Sequence, residues 1–220
     1  MFQGLSEETY RFFWEIAFNN DRAFFEANRE RYQTCVYKPL KELTLLITPA
    51  AQEVDGEFNV RPASIISRIR RDTRYSKDKS MYRDHAWLGF RRPGKMLSES
   101  FVLYAEFERE SYGYGMGMYG SNPELMREMR GRMLARPEHF LELVTEKPFC
   151  EKFPPSGDFF KRPRYQDAPA ELRPYLNRRG LSFCFSSPQV SNTMKPEIAD
   201  EIIEAFRQLK PVYRFLTGLD

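Results

Sequence analysis

Cysteine is scarce in this chain and histidine scarcer: 220 residues include Cys35, Cys150 and Cys184, and only His85 and His139. Three scattered cysteines build no disulfide framework, and neither residue type shows a zinc-ligand spacing. Long apolar runs are missing too. No segment approaches the roughly 18 continuous apolar residues of a membrane span. The N-terminus, MFQGLSEETYRFFWEI, has no basic stretch followed by an uninterrupted apolar run, so it does not read as a signal peptide. These absences point to a soluble protein of a reducing compartment, the cytoplasm, with no membrane partner. No residue pattern asks for a cofactor. Internal repeats, low-complexity tracts and clean linkers are absent as well. The expectation is therefore a single domain over 1–220, long enough to bury a sizeable core. A net charge of only +3 argues against a general nucleic-acid coat protein, which would be basic throughout.

What is present alternates between helical and strand-like periodicity. Ser6 reads as an N-cap, with Thr9 where a capping box usually has Glu. Tyr10, Phe13, Trp14 and Ala17 then recur at helical spacing. Asn19-Asn20 stops that helix, and Asp21 caps a second one ending near Cys35, which predicts a short αα-hairpin. A third helix is expected after Pro39, from about 40 to 54. Residues 1–56 thus form a helical part, and 62–120 a strand-rich core. Strands are predicted at 62–71, 85–91, 101–107 and 112–119, the last two as a hairpin. Gly113, Gly115 and Gly117 share one face of the final strand. Interior strand glycine marks close approach, either of a packed helix or of a ligand cleft floored by the bare face. Residues 121–220 read as a helical part containing a long loop at 146–168, a short strand near 181–185 and a final amphipathic helix from 195. The fold class is α+β: an antiparallel sheet with a central hairpin, flanked by N-terminal and C-terminal helices.

Positive charge is concentrated in one place. Between Arg68 and Arg92 there are nine Lys or Arg against Asp72, Asp78 and Asp84, so this segment carries +6 and the rest of the chain −3. Ile65, Ile66, Ile69, Tyr75, Tyr82, Trp87, Leu88 and Phe90 stitch it to a core. A cationic segment anchored by aromatics suggests a built anion site. Strand parity places Arg68 and Arg70 together on one face.

The wider pattern resembles the bacterial domain-of-unknown-function family numbered 2461. Its core motif, R-I-x-R-D-x-R-[FY]-S-K-D-K-x-x-Y-[KR], is matched here by Arg68, Ile69, Arg71, Asp72, Arg74, Tyr75, Ser76, Lys77, Asp78, Lys79, Tyr82 and Arg83. Asn19-Asn20, the pair Phe24-Phe25, Asn28, the glycine-alternating strand and Lys161-Arg162-Pro163-Arg164 fit as well. Met81 stands where the family usually has Pro, and His85 where Asn is expected. The resemblance covers nearly the whole chain. It implies an α+β domain with a shared site, and no activity.

The candidate ligand-binding residues are Arg68, Arg71, Asp72, Arg74, Ser76, Lys77, Asp78, Lys79, Tyr82, Lys161 and Arg162. Arginine suits phosphate or carboxylate because its fork binds two oxygens at once. Five of these cations against Asp72 and Asp78 leave a surplus, so at least three are expected to border one cleft. Tyr82 is expected on its wall, Lys161 or Arg162 reaching in, and Arg92 outside. The competing account is an internal salt-bridge network with Asp72, Asp78 and Asp84. Three functions follow: a binding module for a phosphorylated or otherwise anionic small ligand; a phosphate-directed hydrolase or transferase; or an interaction protein docking an acidic partner or, less favoured, nucleic acid. Ser76-Lys77 is too common a dipeptide to argue a nucleophile. Carboxylates crowded by cations suit salt bridges better than Mg²⁺, so no metal is expected.

Overall fold

The computed structural model describes residues 2–74 and 78–220. Helix α1 (Glu7–Phe18) opens on a capping box in which the Ser6 and Thr9 side chains each accept from the other's backbone N–H. Asp21 caps α2 (Arg22–Ala27) through the Phe24 N–H. Here the expected order fails twice. The second helix breaks at Asn28, and the chain then runs helically through α3 (Arg29–Tyr32), a π turn (Gln33–Tyr37) and α4 (Lys38–Val54), with no new start after Pro39. Pro39 has no N–H to give the Cys35 carbonyl four residues back. The Thr9 hydroxyl donates to that carbonyl instead, at 2.5 Å in the buried interior. The missing bond is thus supplied from α1, and the helix widens rather than stops.

A strand over 62–71 does not form. Pro62 starts a single helical turn, α5 (Pro62–Ile65). The extended stretch after it divides its pairing between two partners: Ile66 bridges Leu88, and Arg70 bridges Tyr82. Each contact is a single bridge, and the stretch moves from β1 to the 81–83 segment before a ladder forms. Strand β1 (Ala86–Phe90) follows, then β2 (Phe101–Phe107) and β3 (Tyr112–Met118), paired as the expected hairpin. Helices α6 (Pro123–Ala135), α7 (Pro137–Thr145) and α8 (Lys147–Lys152) come next, so the start of the expected 146–168 loop is helical. The chain ends with β4 (Pro155–Ser156), α9 (Arg173–Leu176), β5 (Ser182–Ser187) and α10 (Ile198–Thr217).

The sheet is antiparallel, in the order β1-β2-β3-β5-β4. One face carries Leu88, Phe90, Leu103, Ala105, Phe107 and Met116, all fully buried. Against it packs α10, whose Phe206 meets Phe90 edge-on and whose Tyr213 hydroxyl donates to the Phe101 carbonyl. The other face brings Trp87, Glu106 and Gly113 into one cross-strand row, and Gly89, Tyr104, Gly115 and Cys184 into the next. Among the described residues no helix lies on the glycines. Strand β5 presses onto them instead: a Cβ on Gly115 would sit 2.3 Å from the Phe183 carbonyl oxygen.

The paired asparagines of the N-terminal part tie this half to the basic segment. Asn20 accepts from the Tyr82 N–H through Oδ1 and donates to the Tyr82 carbonyl through Nδ2, at 2.8 and 2.9 Å. Asn19 and Asn28 donate to Glu15 and Phe24 carbonyls within their own helices. Among the described residues no helix is long and apolar enough to cross a membrane.

Candidate functional site

The glycine-bearing face of the sheet is the floor of a cleft of about 340 Å³. Its floor is built by alternation: Trp87 and Gly89 from β1, Val102, Tyr104 and Glu106 from β2, Gly117 from β3 and Ser182 from β5 all share one side. Small residues at Gly89, Gly117 and Ser182 keep the floor low. The basic segment forms the rim with Arg71, Asp72, Arg83 and His85, while Leu97 and Tyr119 close other sides. A second, more open groove of about 670 Å³ adjoins it, lined by Arg68, Arg70 and Arg91, and sharing Arg71, Asp72, Arg83, Trp87 and Leu97 with the first. Arg71, Arg83 and Trp87 therefore form the ridge between the two.

Each rim cation is held differently. Arg83 donates through Nη1 to the Arg68 and Arg70 carbonyls at 2.6 and 2.9 Å, and its guanidinium lies 4.7 Å from the Trp87 ring centre. It has no carboxylate within ion-pair distance among the described residues. Burial first, and then the neighbouring Arg71, lower its pKa. Arg71 reaches Asp78 at 3.1 Å and Asp84 at 3.9 Å, while its Nε is buried without a hydrogen-bond partner among the described residues. Asp84 also holds Arg109 at 3.2 Å and His85 at 3.0 Å. Arg109 in turn covers the Trp14 ring of α1.

The candidate residues divide. Arg68, Arg71 and Asp72 border the two cavities. Arg74 is exposed and paired to Asp72 at 2.7 Å, and that hydrogen bond draws the Asp72 carboxyl down to about 2. Asp78 accepts from the Ser80 N–H, and exposed Lys79 donates to the Thr73 carbonyl. Tyr82 is a core residue, not a wall: it is buried and stacked on Phe25 at 4.5 Å. Lys161 and Arg162 are exposed and do not line either cavity. Their loop is tied elsewhere. Asn177 accepts from the Arg164 and Tyr165 N–H groups, and buried Arg130 lies beneath Phe160 and Tyr165. Ser76 and Lys77 lie outside the described residues. The internal network with Asp72, Asp78 and Asp84 thus takes up Arg71 and Arg74, but not Arg68 or Arg83.

Glu106, Glu108 and Tyr104 line the cleft although no motif in the sequence marks them for it. Strand alternation does put Val102, Tyr104 and Glu106 on one face, but only the register across three strands sets that face under the basic rim. Glu106 makes no hydrogen bond or ion pair among the described residues. Burial, and then the like charge of Glu108, raise its pKa above the ordinary 4.5. A carboxyl raised in the folded state contributes stability below its unfolded value, and that contribution is lost as pH rises through the folded value. Glu106→Gln should therefore raise the melting temperature at pH 7.5 by on the order of 1–3 °C in a domain of this size, and leave it unchanged at pH 4. Thermal melts at the two pH values check this. A lower melting temperature at pH 7.5 would mean that Glu106 has an attractive partner.

Among the described residues no group of three or more His, Cys, Asp or Glu is placed to hold a metal. No curated protein matches the chain. A family model described as "Conserved hypothetical protein (DUF2461)" matches residues 8–215. That match takes in both helical ends, the sheet and the basic rim, and the chain belongs to this family of conserved hypothetical proteins.

Proposed function

We propose that the cleft binds a small anionic ligand, phosphorylated or carboxylated, at the paired guanidinium groups of Arg71 and Arg83. One observation carries this: Arg83 is half-buried beside a second arginine and has no carboxylate partner among the described residues. Like charges drawn together out of water are costly unless a counter-charge joins them. A bound anion would accept charge-assisted hydrogen bonds from both forks, including the unpartnered Arg71 Nε. The concave shape and the small volume favour a small molecule over a flat docking surface for a macromolecule. A phosphate-directed enzyme would use the same rim, with a carboxyl of the floor beside the bound group. A cytoplasmic setting belongs to the proposal, in keeping with three free thiols.

Calorimetry with inorganic phosphate, pyrophosphate and nucleotides tests it. At least one should bind the wild type at submillimolar affinity. Arg71→Ala should weaken it by tenfold or more, as loss of a charged hydrogen bond of about 1.5–3 kcal/mol requires. Lys161→Ala, on the remote loop, should leave it unchanged. Affinity should fall with salt, though less than at an open surface. Absence of submillimolar binding, or equal damage from both variants, would leave the arginines as a structural network only.

A further inference from the structure

Charges of opposite sign line one small cavity and do not pair with each other. Arg71 and Arg83 stand at the rim, and Glu106 lies on the floor. Trp87 separates them. The Arg83 guanidinium covers its ring, and Glu106 is its cross-strand neighbour on β2. Yet no ion pair joins Glu106 to either arginine. The fold holds them apart, because each is fixed by a different element. Arg83 is anchored by two backbone carbonyls of the 68–70 stretch. Glu106 is held over bare Gly113, its Oε1 3.6 Å from where a Cβ on that glycine would lie. Glu108, two residues on and lining the same cleft, adds a second negative charge on the floor side.

An anion at the arginines alone leaves this carboxyl unanswered in a partly buried place. A buried carboxyl without a partner is destabilising, and a cation or a strong donor is what relieves it. From this polarity we propose that the ligand is bipolar. An anionic group sits at Arg71 and Arg83, and a short linker crosses Trp87 to an ammonium group at Glu106 and Glu108. Trp87 is the apolar step between the two ends, its ring already covered by Arg83 and stacked on His85. The chemical class is a small phosphorylated amine or an amino acid. About 340 Å³ lies at the lower end of small-molecule cavities, which suits a ligand of this size.

The inference rests on the anion-binding reading above, and the experiment separates the two. Calorimetry compares O-phosphoethanolamine with ethyl phosphate, and 4-aminobutyrate with butyrate, on wild type and Glu106→Gln. In one pair the amine-bearing member should bind the wild type at least about tenfold more tightly, the factor a charge-assisted hydrogen bond supplies. That advantage should vanish in Glu106→Gln, while the amine-free member binds both proteins equally. The pair that responds tells phosphate from carboxylate. If ethyl phosphate or butyrate binds and its amine gives no advantage, the bipolar ligand is wrong and the anion site stands. If the advantage survives in both Glu106→Gln and Glu108→Gln, it does not come from the floor and the proposal fails. If no member of either pair binds, while inorganic phosphate or pyrophosphate does, the bipolar ligand alone fails. If no anion binds at all, both proposals fail.

Discussion

Gly115→Ala should cost more than about 3 kcal/mol and leave most of the protein insoluble on expression. Its Cβ would lie 2.3 Å from the Phe183 carbonyl oxygen and 2.7 Å from the Cys184 Cα. Both are backbone atoms of β5, so no side-chain rotation relieves the clash. The alternatives are to part β3 from β5 or to bend both strands. Parting them breaks the ladder from Tyr112–Ser187 to Gly117–Ser182, which joins the C-terminal part to the central hairpin. Overpacking in ordinary cores costs about 1–3 kcal/mol, and here the obstacle is a carbonyl that cannot yield. Gly89→Ala is the contrast. Its nearest neighbours would be Leu97 Cδ2 and Val102 Cγ1 at 3.5 Å, ordinary contacts. Alanine also loses less backbone entropy than glycine on folding. Gly89→Ala should stay within about 0.5 kcal/mol of wild type or gain slightly. Urea unfolding of the two variants decides. If Gly115→Ala lies within about 1 kcal/mol of wild type, β5 does not press on the glycine face as described.

Arg92→Ala should be the next most damaging change, although it lies outside the cleft. Asp55, at the end of α4, is 3% exposed and takes the Arg92 Nε at 2.8 Å. Among the described residues its remaining support is the Glu57 N–H at 3.0 Å. The Asp55 hydrogen bond is also the main cause that raises the Arg92 pKa. Removing one partner of a buried pair strands the other charge, at about 3–5 kcal/mol. Arg92 is itself 39% exposed, so water screens part of this and about 2–3 kcal/mol is expected. Replacing Asp55 by Asn in the same protein should recover part of the loss, since an amide needs no counter-charge. A double-mutant cycle of unfolding free energies measures the coupling. A loss below about 0.5 kcal/mol in the single variant would mean that Asp55 is solvated despite its burial. Arg92 is therefore a poor silent control in ligand binding, and remote Lys161 serves better.

Local chemistry was legible along the chain. The Ser6-Thr9 cap, the Asp21 cap, the hairpin of β2 and β3 and the apolar stripe of α10 rest on contacts a few residues apart, or on a period written in the residues themselves. So did the clustering of arginine and lysine between Arg68 and Arg92, and the resemblance that it carries. Pro39 shows where this ends. Proline reads as a break, and the break is averted only because Thr9, far back in sequence, supplies the hydrogen bond that closes the gap. The stretch after Pro62 shows it again, since a β-branched run becomes a strand only where a partner runs beside it.

The site lies at that same boundary. Residue types and alternation determined that this chain carries an anchored cationic segment and a strand with one bare face. Neither could say that the two meet. Tyr82 was claimed by the core through Phe25 and Asn20, and Lys161 and Arg162 were carried off by a loop tied to Arg130 and Asn177. Glu106 entered the cleft because the register of β1, β2 and β3 set one row of side chains under the rim, and Arg83 because the Arg68 and Arg70 carbonyls hold its guanidinium there. Register depends on how distant strands pack against α10, and a slip of one residue would turn every floor residue into the core. Charge and period are properties of the chain. Which charges share a cavity, and which are kept from pairing, is decided by contacts between segments far apart in sequence.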